Sequence, residues 1–76
     1  MPNKRIFGTT FYIQVYLISY KKITNVLIVD AERVIRSTLK ERLEYEGYVV
    51  DTAQSRSEAT GKLERSAFDV MLCDIS

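Results

Sequence analysis

Residues 26–47 read VLIVDAERVIRSTLKERLEYEG. The first four, Val26-Leu27-Ile28-Val29, form an unbroken apolar run that stops at Asp30. A strand with one wet face alternates apolar and polar residues, so an unbroken run is the pattern of a strand covered on both faces, as in a parallel sheet. The period then changes: Ile35, Leu39 and Leu43 recur every four residues among Arg, Lys and Glu, and Gly47 follows Glu46. That spacing predicts an amphipathic helix over Glu32–Glu46 with a glycine stop. A buried strand feeding such a helix is the first half of a βαβ unit.

Tyr48-Val49-Val50 reads as a second strand, and Ser55-Arg56-Ser57-Glu58 matches the Ser-x-x-Glu box that opens a helix, which should run to about Arg65. Gly61 falls inside that helix at a cost of about 1 kcal/mol relative to alanine, and Thr60 stands where the amphipathic pattern wants an apolar residue. Phe68-Asp69-Val70-Met71-Leu72-Cys73 reads as a third strand and again ends in an aspartate, Asp74. Strand, helix, strand, helix, strand implies a parallel α/β sheet, and right-handed crossovers allow two orders for the three strands, of which the flavodoxin-like one is 2-1-3. In that order Asp30 and Asp74 end neighbouring strands, in the crevice where open α/β sheets bind ligands.

Composition narrows the chemistry. With 76 residues there is room for one small domain, and 46% hydrophobic with 28% charged residues is a globular balance. No histidine is present and Cys73 is the single cysteine, which rules out the common zinc sets and any His-assisted nucleophile and leaves carboxylates to carry the chemistry. A lone cysteine in an apolar run fits a buried thiol and a reduced, cytoplasmic setting. A net charge of +1, with no basic cluster beyond Lys21–Lys22, offers no footprint for nucleic acid. Glu41 and Glu44 can pair with Lys40 or Arg36 on a solvated helix face.

Residues 1–22 differ in kind, carrying four cations and no acid, against seven cations and ten acids in 23–76. The stretch 6–20, IFGTTFYIQVYLISY, is shorter than the about 20 apolar residues of a spanning helix and is interrupted by Gly8, Thr9, Thr10, Gln14 and Ser19. Stable membrane insertion is not expected. Ile13, Val15 and Leu17 alternate with Tyr12, Gln14 and Tyr16, which suits either a short strand or an unpaired segment. Lys4, Arg5, Tyr12, Tyr16, Tyr20, Lys21 and Lys22 also allow a weak peripheral attachment to membranes. The chain is therefore read as an N-terminal extension, 1–22, and a partial α/β module, 23–76.

Two carboxylates in one crevice favour a hard cation such as Mg²⁺, which lets Asp74 receive a phosphoryl group as an acyl phosphate. A loop-capping role for each aspartate is the competing reading of the same residues. Residues 25–76 resemble the opening of a response-regulator receiver domain of two-component signalling. The resemblance rests on the apolar strand ending in Asp30, the helix closed by Glu46-Gly47-Tyr48-x-Val50, the Ala53 to Glu58-Ala59 segment, and Phe68-Asp69-Val70-Met71-Leu72-Cys73-Asp74.

The resemblance implies a phosphoaccepting module rather than an enzyme, served by a sensor histidine kinase or a phosphotransfer protein. It makes Asp74 the phosphoacceptor and Asp30, with Asp74, a ligand of Mg²⁺. Three departures accompany it. Ala31 stands where the family usually has a second acidic residue, which weakens the metal site. Arg56 occupies a turn position commonly held by glycine, where left-handed backbone would cost about 1 kcal/mol or more. The module also stops just after Asp74, truncated before the threonine or serine, the lysine, two strands and three helices of the whole fold. On this reading the third strand is left as an exposed apolar edge, open to self-association, and the alternative function is a non-catalytic interaction fragment that pairs through that edge.

Overall fold

A computed structural model of the chain describes residues 3–4, 13–18 and 22–74. Arg5, Tyr12, Tyr20 and Lys21, considered above for membrane attachment, lie outside the described residues, as do Ile75 and Ser76. The elements are β1 (Asn3–Lys4), β2 (Ile13–Leu17), β3 (Asn25–Asp30), α1 (Arg33–Tyr45), β4 (Val49–Ala53), α2 (Arg56–Arg65) and β5 (Val70–Asp74). They build one five-stranded mixed sheet in the order β1-β2-β5-β3-β4.

β3, the middle of the three parallel strands, pairs with β4 on one side and β5 on the other. The connection through α1 steps outward to β4, while the connection through α2 steps back across β3 to β5. Two right-handed crossovers in opposite directions must place their helices on opposite faces of the sheet. The core is divided accordingly. Val26 and Ile28 of β3 join Leu39, Val50, Val70 and Leu72 on the α1 face, with Val15, Ile35, Leu43 and Tyr48 packed against them. Leu27 and Val29 join Ala53, Ala59 and Phe68 on the α2 face, backed by Met71 and Cys73. Covered from both sides, Leu27, Ile28 and Val29 are the largest fully buried side chains. The apolar run was the signature of this position.

Local signals account for the helix ends. Gly47 adopts φ +103, beyond the reach of most L-residues, and the Gly47 and Tyr48 N–H groups donate to the Glu44 and Leu43 carbonyls, closing the last turn of α1. At α2 the Ser55 hydroxyl accepts the Glu58 N–H at 3.2 Å, and the Glu58 carboxylate reaches back to accept the Gln54 N–H at 2.9 Å. The box thus closes one residue before the cap. On the surface of α1, Lys40 meets Glu44 at 3.6 Å and Arg42 meets Glu46 at 3.8 Å, exposed pairs of small energetic weight.

Four expectations need correction. The parallel strands keep the neighbours β4-β3-β5, but the sheet is not the three-stranded 2-1-3 arrangement, because β1 and β2 extend it antiparallel. The outer edge of β5 is not bare: β2 runs along it from Gln14 opposite Cys73 to Leu17 opposite Val70, and the Ile18 N–H continues the ladder to the Asp69 carbonyl at 2.8 Å. Arg56 is the first residue of α2, and no non-glycine described residue has positive φ, so the anticipated strain there is absent. Thr60 is exposed and its hydroxyl donates to the Arg56 carbonyl at 2.9 Å, leaving Ala59 as the buried residue of α2. The buried stripe of this helix passes through Ala59, one position before the one the amphipathic pattern indicates.

Candidate functional site

The register of β3 against β5 sets Asp30 directly opposite Asp74. Neighbouring strands lie about 4.8 Å apart, so the two carboxyl-bearing residues stand side by side at the carboxyl end of the sheet. Both sequence-derived candidates are therefore brought together. Asp30 is 5% exposed, whereas Asp74 is open to solvent. The same pair thus offers one sheltered and one accessible carboxylate.

Asp30 is held in its turn from both ends. Its Oδ1 accepts the Glu32 N–H at 2.8 Å, which shapes the β3–α1 connection. Its carbonyl accepts Arg36 Nη1 at 2.8 Å, so the first turn of α1 is tied to the last residue of β3. Arg36 also brings a fixed positive charge to the acidic end of the sheet, a role that sequence reading did not assign. Ala31 is exposed and supplies no donor atom from its side chain, and Glu32 is the residue preceding α1, with no side-chain cap bond.

At the opposite end of the sheet Asp69, 3% exposed, accepts the N–H groups of Thr24 and Asn25, each at 2.9 Å. It fixes the entry of β3 beside β5 and thereby sets the register that aligns Asp30 with Asp74. A cleft of about 600 Å³ lined by Lys22, Ile23, Thr24, Glu46, Gly47 and Tyr48 lies at this amino end, away from the aspartates.

A second polar lock was not foreseen. Lys62 on α2 donates to Asp51 Oδ1 at 2.8 Å and to the Thr52 carbonyl at 2.6 Å. Burial by itself would raise the Asp51 carboxyl, but the hydrogen bonds from Lys62 and the Thr52 N–H, with the charges of Lys62 and Lys40, outweigh it and hold the pKa below 3.8. No spacing rule links residues 11 apart on different elements, so the pair was invisible in the sequence.

Mg²⁺ is commonly bound by one or two carboxylates, with waters and a phosphate oxygen filling the remaining positions. Asp30 and Asp74 fit that requirement as a pair. Among the described residues no group of three or more His, Cys, Asp or Glu is assembled.

The class of protein these elements define is an α/β module whose parallel strands β3 and β5 end in paired aspartates. A model of the response regulator receiver domain family matches residues 26–76, and the chain belongs to that family. It is similar to the transcriptional regulatory protein ResD of Bacillus subtilis (strain 168), 38% identical over 52 residues, covering 68% of this chain and 22% of that protein. It is also similar to the alginate biosynthesis transcriptional regulatory protein AlgB of Pseudomonas putida, 42% identical over 50 residues, covering 66% of this chain and 11% of AlgB. The AlgB of Pseudomonas aeruginosa matches to the same extent. The chain thus spans about a fifth or less of the length of these curated relatives. No solved structure matches significantly.

This is a receiver domain of the response regulators of two-component systems, a family of phosphoacceptors rather than catalytic enzymes in general. No helix among the described residues is long and apolar enough to cross a membrane.

Proposed function

We propose that the chain accepts a phosphoryl group on Asp74 from the phosphohistidine of a sensor kinase or phosphotransfer protein, in the cytoplasm. The observation that carries this reading is the in-register pairing of Asp30 with Asp74 at the carboxyl end of the sheet, with Asp74 exposed. A carboxylate oxygen of Asp74 attacks phosphorus, the P–N bond to the donor imidazole breaks, and the electron pair leaves on that nitrogen, which then takes a proton. The product is an acyl phosphate on Asp74.

Asp30 and Asp74 are the residues that would hold Mg²⁺, which when bound supplies charge neutralisation for the incoming phosphoryl oxygens. Asp30, oriented by the Glu32 N–H, presents its carboxylate beside the nucleophile, and Arg36 holds the strand end on which Asp30 sits. With Ala31 in place of an acid, the site would offer the cation one carboxylate fewer and would need a higher Mg²⁺ concentration to fill.

The direct test is intact-mass analysis of the purified chain after incubation with acetyl phosphate and Mg²⁺. A single phosphoryl adduct that is absent in Asp74→Asn is expected. A chain shown by circular dichroism to be folded, yet giving no adduct at saturating Mg²⁺, refutes the assignment. The alternative, an interaction fragment pairing through the sheet edge or residues 11–20, predicts partner capture that Asp74→Asn leaves unchanged, and β2 already lies along the β5 edge.

A further inference from the structure

A sheet edge presents unpaired N–H and C=O groups and is a template for another chain. The two sides of this sheet are guarded in different ways. On β4, lysines take the outer carbonyls: Lys62 Nζ donates to the Thr52 carbonyl at 2.6 Å and Lys40 Nζ approaches the Val50 carbonyl at 3.5 Å. Alternate carbonyls of one strand point the same way, so both cations sit along one edge. An ammonium has donors alone and cannot extend the ladder to a further strand.

β5 has no such guard in its own sequence. Val70-Met71-Leu72-Cys73 is apolar, free of proline and lysine, and only the terminal Asp74 is charged. Its guard is β2. The Ile18–Asp69 hydrogen bond fixes the alternation of the ladder, making 18–69, 16–71 and 14–73 the hydrogen-bonded pairs. Val15 packs into the core beneath it. In the doubly wound order, this is also the edge a following parallel strand would take. Here an antiparallel strand from the amino-terminal side of the chain lies along it. β1, at the far side of β2, is two residues long and makes a short edge.

We propose that β2 is an intrachain edge cover whose pairing keeps the molecule monomeric, and that its release lets β5 pair with β5 of a second copy. The choice of a second copy follows from β5 itself. β2 demonstrates that the edge accepts an antiparallel neighbour, and a two-fold axis brings β5 of another copy to it in that orientation. Residues 13–18 thereby acquire a role that does not depend on Asp74.

The test uses the full chain with two opposed variants. Tyr16→Pro removes an N–H from a hydrogen-bonded pair, while Gln14→Cys places a second cysteine opposite Cys73 at a backbone separation of about 5.5 Å, within disulfide range. Light scattering after size exclusion is expected to give the 8.8 kDa monomer for the natural chain and at least a twofold larger mass for Tyr16→Pro. Oxidised Gln14→Cys is expected to carry one intrachain disulfide and to stay monomeric at concentrations where its reduced form begins to associate. A folded, monomeric Tyr16→Pro chain overturns the proposal. Should Tyr16→Pro lose its helical circular dichroism, the crosslink decides: interchain disulfides, or equal association of the oxidised and reduced forms, overturn it as well.

Discussion

Replacing Lys62 by methionine should loosen α2 from the sheet by a calculable amount. Ala59 is the one buried residue of this ten-residue helix, so apolar packing contributes little to its docking. Lys62 adds an ion pair to Asp51 at 2.8 Å and a bond to the Thr52 carbonyl at 2.6 Å. A hydrogen bond from a charged donor is worth about 1.5–3 kcal/mol at most. The Asp51 side chain is 48% exposed, so its pairing is screened and falls to about 0.5–1 kcal/mol. With the Thr52 bond discounted similarly, the loss is about 1–2 kcal/mol, or a drop in Tm of roughly 4–16 °C for a domain of this size.

Thermal denaturation followed by circular dichroism reads this, and pH gives a second check. The Asp51 carboxyl has a lowered pKa when folded, so its share of the stability is present above the unfolded value of 3.8 and is lost as pH falls through the folded value. The gap between Lys62→Met and the natural chain should therefore narrow in that acid window without closing, because the Thr52 carbonyl does not titrate. A loss below about 0.5 kcal/mol at neutral pH, in the range of an ordinary surface substitution, would refute the argument.

Three further outcomes follow from the same geometry. Leu27→Ala, at the fully buried centre of β3, should cost about 2–5 kcal/mol and leave the chain largely unfolded at 37 °C, measurable by urea titration. Gly61→Ala should stabilise α2 by about 0.5–1 kcal/mol, since the added Cβ meets only the movable Arg65 guanidinium, with Nη1 at 3.2 Å; a lower Tm would show that the contact cannot yield. Ala31→Asp adds a carboxylate beside Asp30 and should tighten Mg²⁺ binding on the order of tenfold, about 1.4 kcal/mol, in a calorimetric titration. An unchanged affinity would place the cation away from this end of the sheet.

The pattern of Val26–Asp30 carried most of the fold, because a strand buried on both faces has no choice but to be continuously apolar. The helix ends were equally legible, since Gly47 and the Ser55–Glu58 box act within a few residues of themselves. The family followed from the resemblance carried by residues 25–76, and the pairing of the aspartates from the flavodoxin-like choice between two allowed strand orders: with β3 between β4 and β5, Asp30 and Asp74 end neighbouring strands. What the sequence could not supply were contacts between groups with no periodic relation. Asp69 gripping the entry of β3, Arg36 tying α1 to Asp30, and Lys62 spanning α2 and β4 each depend on where separate elements come to rest. The partner of β2 is the clearest instance. Its alternation marked residues 13–17 as strand-like, but edge hydrogen bonds are made by backbone groups that every residue carries, so only the assembled sheet decided that this strand would run antiparallel along β5.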